Sequence, residues 1–322
     1  MTDGHYQSGM GRTRTRGDKR PAVLAALTLL LAIGTNAPAM PPFADELLSG
    51  KTVKVSDHVW AIIGFPNIGI VVGESSTLVV DTGLGQRNGA TVARAAGELA
   101  PRNRLFLTTT HFHPQHAGGV LGFPRETLLI RDQVQQDEMD RHGEEMIRMF
   151  AGRNSQWKSL LTGEQLRSPD MTFERELRLN LGGGVTARLL WFGPAHTKGD
   201  ELVFVDPDAT LISGDVVQNK VEPHIYGEGG TATSWIAAVD AAAKLGARHV
   251  LPDHSPIGDG SLVEQERSFL VELQRRALAL KAQGESAEKA GQQITVEFKQ
   301  KYPDWSIDDL TSFVKQTYTD GH

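Results

Sequence analysis

Three of the chain's eleven histidines fall within six residues, in the run Thr109-Thr110-His111-Phe112-His113-Pro114-Gln115-His116-Ala117-Gly118-Gly119. Imidazole is the commonest neutral metal ligand, and three protonated rings packed together would repel, so a divalent metal suits this cluster best. His111 and His113 are two apart, and an extended backbone turns both rings to one side. His116 lies beyond Pro114 and can fold back from the other direction. The spacing alone would also fit a surface histidine cluster. What separates the two readings lies further along the chain.

The elements that must position these residues can be read around them. Leu105-Phe106-Leu107-Thr108 reads as a buried strand leading into the run, and the small residues after it can open a helix. Upstream, Val59 to Ile63, Ile68 to Val72 and Thr77 to Val80 are short β-branched runs separated by Gly, Pro and Asn. Asp81-Thr82-Gly83 ends the third at a sharp turn. Asn88 to Leu99 has helical spacing, and Arg104 to Thr108 returns to strand. Strand–helix–strand with an acid at a strand end indicates an α/β layered fold with function at the strand ends. Between Leu128 and Ser168 the sequence turns polar and helical, above all from Gln133 to Phe150, where a lid, a substrate wall or a solvated helix pair would be inserted. Met171 to Phe192 predicts a hairpin turning at Gly182-Gly183-Gly184. Leu202 to Val205, Thr210 to Ile212 and His249 to Leu251 are further strands, and Ser234 to Leu245 is a helix. From Leu262 onward the pattern is helical and amphipathic, interrupted at Gln283-Gly284 and at Pro303.

Composition narrows the function classes. The 322 residues suffice for ample core, and 39% apolar with 22% charged content fits a soluble globular protein. A net charge of −6, with no basic stripe interleaved with aromatics, excludes broad attraction to nucleic acid. There is no cysteine, so a metal would be held by His, Asp, Glu or amide ligands. The first 39 residues differ from the rest. Arg12, Arg14, Arg16, Lys19 and Arg20 precede an apolar stretch from Ala22 to Ile33, and Ala37-Pro38-Ala39 supplies small residues at the cleavage positions. This order reads as a signal peptide over 1–39, too short in its apolar part for a membrane span. An uncleaved anchor, or a true start at Met10, is the competing reading. Cleavage would remove five basic and two acidic residues and take the net charge from −6 to −9. The expectation is a periplasmic or secreted protein with no stable membrane span, joined through a linker over 40–52 to its folded part.

Three later sites share one position, a loop at a strand end: Gly193-Pro194-Ala195-His196-Thr197, Leu211-Ile212-Ser213-Gly214-Asp215 and Leu251-Pro252-Asp253-His254-Ser255. Each alone could be a turn histidine, a capping Asp or a surface histidine. All three beside a histidine triplet are not. From about Val53 to Gly258 the chain resembles the metallo-β-lactamase superfamily of zinc-dependent hydrolases. The matching pieces are Asp81 in Leu78-Val79-Val80-Asp81-Thr82-Gly83, the run His111 to His116, His196 in its Pro-x-His-Thr-x-Gly setting, Asp215 after Ser-Gly, and His254. The resemblance implies an αββα sandwich over 53–260, a C-terminal helical extension over 261–322, and metals at one sheet edge. It implies that His111, His113 and His196 hold one metal, that His116 and His254 serve a second, and that Asp215 bridges them. Asp81 would accept a hydrogen bond from a ligand imidazole. Zn²⁺ in such a site lowers the pKa of water to about 7 and so prepares attack on a carbonyl, although these ligand types also suit iron or manganese.

One position departs from the pattern. The family usually has Asp where this chain has Gln115. A Gln offers a neutral carbonyl oxygen and cannot shuttle a proton, so one tight metal and a weaker second are expected. The bridging Asp and the lack of cysteine are more like the glyoxalase II, lactonase and related esterase branches than the antibiotic-hydrolysing lactamases. The expected activity is hydrolysis of a small-molecule ester, thioester or lactone, with weak β-lactam turnover. His224 or Tyr226, in Glu222-Pro223-His224-Ile225-Tyr226-Gly227, would lie beside the pocket and could donate to a developing oxyanion. Trp191 and Trp235 read as core or wall. Two other classes fit the same residues: an iron-dependent oxidoreductase of this fold similar to the persulfide dioxygenases, and a non-catalytic metal-binding protein in which Gln115 marks a decayed site.

Overall fold

Strands that are β-branched along their length bury both faces and need cover on both. The chain meets this by stacking two sheets and laying helices outside each. The computed structural model describes residues 47–227 and 229–320. The signal peptide expected over 1–39, and the first part of the linker, lie outside the described residues.

The first sheet runs in sequence order: β1 (Thr52–Lys54), β2 (Val59–Ile62), β3 (Ile68–Val72), β4 (Ser76–Val80), β5 (Arg104–Thr108), β6 (Leu128–Asp132) and β7 (Met171–Phe173). Its pairs are antiparallel as far as β4 and parallel from β4 to β7. The second sheet contains β8 (Glu176–Gly182), β9 (Val185–Trp191), β10 (Glu201–Asp206), β11 (Thr210–Gly214), β12 (His249–Pro252) and β13 (Gly258–Asp259). It is antiparallel except for β11 beside β12.

The period of two divides each strand between two cores. Val59, Ala61, Val71, Leu78 and Val80 face Ala187, Leu189, Val203, Ile212 and Leu251 between the sheets. Ile62, Ile68, Ile70, Val79 and Leu107 point the other way, onto Val92, Ala95 and Ala96 of α1 (Gln86–Leu99). Leu202, Phe204, Leu211 and Val250 do the same on the second sheet, under Trp235 and Val239 of α5 (Ala232–Ala243) and Phe269 and Leu273 of α6 (Ser261–Ala282). The expected αββα sandwich is therefore present. So are the C-terminal helices, α6 followed by α7 (Ala287–Lys301) and α8 (Thr311–Thr319), with the breaks where Gly284 and Pro303 stand.

Two expectations are corrected. The hairpin begins at Glu176 rather than Met171, because β7 pairs in parallel with β6 of the first sheet and the chain changes sheets after Phe173. Leu128–Asp132 is a strand rather than part of a helical stretch. Its polar end disguised it: Arg131 is buried and donates to Gln136 Oε1 and to the Arg167 carbonyl, each at 3.0 Å. The rest of that segment is α3 (Gln133–Ala151) and α4 (Ser155–Leu160), capped by Asp132 and Asn154 side chains that accept from Gln135 N and Trp157 N.

Glu266 on α6 is buried and accepts from the Gln218 N–H at 3.4 Å. Burial pushes its carboxyl from 4.5 up to about 8. The folded state therefore keeps a proton that the unfolded chain releases, and stability falls as pH rises from about 4.5 to about 8. Glu266→Gln keeps the shape and removes the titration. Urea unfolding across that range should show a decline in the wild type, a few kcal/mol at most (about 1.4 kcal/mol per pKa unit), and a flatter profile in the variant. Parallel profiles would refute this account of Glu266.

Candidate metal centre

β4, β5, β11 and β12 end at one edge of the sandwich, and the residues that follow them converge. His111 Nε2 lies 2.9 Å from His113 Nδ1, which lies 3.3 Å from His196 Nε2. On the far side His116 Nε2 is 3.2 Å from His254 Nε2. Asp215 stands between the two groups. Its Oδ2 is 3.3 Å from His196 Nε2, and its Oδ1 is 3.3 Å from His254 Nε2. All six residues singled out as ligands by sequence are thus brought together.

Local sequence explains how. His113 is the extended residue before α2 (Pro114–Ala117), a single turn with Pro at its first position, where a missing N–H costs nothing. That turn reverses the chain and returns His116 toward His111. Thr82 fixes it, since its N–H and hydroxyl donate to the His116 carbonyl at 2.9 and 2.7 Å. Gly119 follows because α1 crosses there: a Cβ on Gly119 would lie 2.9 Å from Gly89 N of that helix and 2.9 Å from the Thr82 carbonyl oxygen. Asp81 takes a left-handed φ of 71°, which Asp tolerates better than most residues. Its Oδ1 accepts from Thr110 N at 2.6 Å, and its Oδ2 lies 3.0 Å from His116 Nδ1. Asp253 Oδ2 meets the same nitrogen at 3.2 Å. His116 therefore carries its proton on Nδ1 and presents Nε2 inward. His196 does likewise through Nδ1, 2.5 Å from the His224 carbonyl.

Charge follows from burial. Burial first, and then neighbouring imidazoles, hold His111 and His113 well below the ordinary histidine value, and burial lowers His196 too. Burial also takes His254 down to about 4. For His116 burial opposes the charge, but Asp81 and the hydrogen bond with Asp253 overcome it and raise the ring to about 10. Burial would raise Asp215, yet the surrounding imidazoles, His254 foremost, keep it ionised. Burial and then the Asp81 charge push Asp253 well up.

These residues fit a divalent metal. Ligands about 2.0–2.1 Å from a tetrahedral zinc stand about 3.4 Å apart, close to the spacings found here. Neutral imidazole nitrogens facing one another have too few protons to satisfy each other, so their lone pairs are left for a cation. His111, His113 and His196 form one set able to hold an ion, and His111, His116 and Asp215 another. His116 Nε2 would be free to hold a metal while Nδ1–H stays on its carboxylates. Gln115 is buried on α2, and its Oε1 has no hydrogen-bond partner.

The two candidate oxyanion donors are placed differently. The His224 imidazole pairs with Glu222 Oε1 at 3.1 Å and is half exposed, so only its carbonyl reaches the centre, through His196. Tyr226 packs its ring edge-on against His113, 4.7 Å between centroids, while its hydroxyl lies 3.3 Å from Arg153 Nη2 and 3.4 Å from Met149 Sδ. Trp235 is buried, and Trp191 Nε1 donates to the Lys198 carbonyl at 2.8 Å.

Sequence reading missed two contributors. Asp253 sits directly before His254, and an acid beside a strand-end histidine was a usable signal. Gln218 gave none. Its Nε2 donates to Asp215 Oδ1 at 3.2 Å, and its Oε1 accepts from His254 N and Ser255 Oγ at 3.2 and 2.7 Å. It ties the two ligands of neighbouring strands together. The segment between β6 and β7 packs beside the centre, where Glu138 of α3 accepts from Lys198 N and Gly199 N, just after His196, at 3.1 and 2.8 Å.

The family model described as the Metallo-beta-lactamase superfamily matches residues 61–254. Among solved structures, a metallo-beta-lactamase from Pontibacter korlensis is similar at 20% identity over 68% of this chain and 98% of its own, with a TM-score of 0.53. The DIM-1 metallo-beta-lactamase gives 16%, 69%, 97% and 0.55 for the same measures. The stereoselective inverting sec-alkylsulfatase Pisa1 from Pseudomonas sp. gives 15%, 84%, 50% and 0.65. At these identities the likeness is one of fold. No curated protein sequence matches.

Proposed function

Since the chain belongs to the metallo-beta-lactamase superfamily, we propose that it is a zinc-dependent hydrolase of small-molecule esters, thioesters or lactones, with β-lactams as weak substrates. The observation that carries this reading is Asp215, whose two oxygens face different imidazole sets, each at 3.3 Å from a histidine nitrogen. His111, His113 and His196 are the proposed ligands of a first metal, and His116 and His254 of a second, with Asp215 shared. Zinc, when bound, polarises a carbonyl and brings the pKa of water to about 7. Everything else falls to the chain. Asp81 and Asp253 fix the tautomer of His116, and the His224 carbonyl fixes that of His196. Asp215, kept ionised by the imidazoles around it, is the one carboxylate among the six proposed ligands and supplies their negative charge.

The alkylsulfatase covers more of this chain than either lactamase, 84% against 68% and 69%. Alkyl sulfate esters therefore belong among the substrates tried. Elemental analysis of the purified protein, coupled to assays on esters, thioesters, lactones, β-lactams and alkyl sulfates, tests the reading. Zinc with ester or lactone turnover is expected. Iron with oxygen uptake would select the oxidoreductase alternative, and no tight metal would select the non-catalytic one.

His111→Ala and His196→Ala should each keep a native circular dichroism spectrum and lose hydrolysis by more than about 100-fold. Partners one shell further out are already worth about 10–100-fold. Wild-type turnover in either variant would sink the ligand assignment.

Gln115 brings no charge to a centre that two zinc ions would make strongly positive, and repulsion between ions a few ångströms apart is large at low dielectric. Zinc should accordingly bind tightly once and loosely a second time. Gln115→Asp should tighten the second ion, about tenfold or more by the value of a charged over a neutral partner. Calorimetric titration of metal-free wild type and variant reads this directly. Two equally tight ions in the wild type would show that Gln115 is a competent ligand.

Export is proposed on the 1–39 sequence, with the mature chain beginning near Met40. Among the described residues no helix is long and apolar enough to cross a membrane. N-terminal sequencing of protein taken from its native compartment should find that start; a chain beginning at Met1 or Met10 would exclude it.

A further inference from the structure

A cavity of about 210 Å³ opens beside the histidines, lined by Phe112, Met146, Met149 and Tyr226, with Arg141 and Lys198 among the charged residues around it. Tyr226 joins it to the metal centre, because the ring that lines the cavity is the ring packed on His113 at 4.7 Å. Phe112 lies between His111 and His113 in sequence and lines the same space. The wall is held from behind: Arg153 bonds the Tyr226 hydroxyl and lies over the Phe150 and Trp157 rings, 4.1 and 5.1 Å from their centroids.

Of the polar groups that line it, Glu138, Arg141 and the Tyr226 hydroxyl have protein partners. Glu138 is engaged by Lys198 N and Gly199 N, and Arg141 faces Asp137 at 3.8 Å. The Tyr226 hydroxyl is turned to Arg153 and Met149. The apolar part of the lining left to an occupant is Phe112, Met146, Met149 and Tyr226, with His142, Glu145 and Lys198 alongside. Met149 is 40% exposed at its edge. Methionine is unbranched and polarisable, and it moulds to a flexible chain better than a branched residue does.

We propose that this cavity receives an unbranched apolar chain, the acyl or alkyl portion of the substrate, whose scissile bond then lies at the histidine cluster. The proposal rests on the hydrolase reading for the second half of that statement only. Substrate selection is by chain length, and the α3 wall sets it.

Two experiments on the full zinc-loaded chain separate the two halves. Titration with butanol, hexanol and octanol reads the cavity without any reaction. Affinity should rise by about fourfold per methylene until the cavity is filled. Met149→Glu, at an exposed position that leaves the fold intact, should flatten the series. Kinetics on butanoyl, hexanoyl and octanoyl esters of one leaving group should show the same rise in kcat/KM, carried by KM. A flat alcohol series, or a series unaltered by Met149→Glu, overturns the proposal. Ester turnover with no dependence on chain length overturns it too while leaving the hydrolase reading in place. Graded alcohol binding without hydrolysis of any ester supports the chain site and removes the hydrolase reading instead.

Discussion

A buried carboxylate has to be answered by donors or by a cation, or it will not stay ionised. Asp81 is wholly buried at the end of β4, and its answers come from elsewhere in the chain: the Thr110 N–H and hydroxyl after β5, and the His116 ring on α2. Asp253, after β12 of the other sheet, shares the same ring. One proton on His116 thus serves two acids from two sheets. This knot sets where the histidine run lies relative to both layers, and the other converging histidines and Asp215 are arranged around it. Asp215 and His254 leave adjacent parallel strands, so their separation is inherited from the backbone ladder and trimmed by Gln218.

Much of this was legible in the sequence because strand-end residues announce themselves. Asp81, Asp215 and His254 each follow an apolar run, and the run predicts both the strand and the edge at which it stops. Residues that act through geometry leave less trace. Gln218 is an ordinary polar residue three positions past Asp215, and only the fold brings the His254 N–H to its oxygen. β6 was hidden for a related reason. Its Arg131 and Asp132 are charged residues at a strand end, yet both are buried, Arg131 donating to Thr109 and Gln136 and Asp132 Oδ1 accepting from Gln135 N. The His224 and Tyr226 side chains show the opposite error. Proximity to the site in sequence was right, but Glu222, Arg153 and Met149 claim their polar atoms.

The C-terminal helices are more than a cover. Besides closing the second sheet, they hold the loop between β11 and α5. Glu222 accepts from Asp308 N and Asp309 N, and Glu266 of α6 accepts from Gln218 N. The loop that follows Asp215 is therefore braced from outside the sandwich, while the site it borders is built at the sandwich edge.

The wall has a different kind of attachment. The chain leaves β6 and returns to β7, its immediate parallel neighbour, so the whole stretch of α3 and α4 is a detour between two points of one sheet. None of the six converging residues lies within it. Evolution can lengthen, shorten or replace such a detour while the backbone ladder on either side stays shut, provided something still meets the amides of Lys198 and Gly199 as Glu138 does. The histidine-lined edge and the helical segment beside it are, in this architecture, separately inheritable parts. A lineage could keep the first for its whole history and change the second many times.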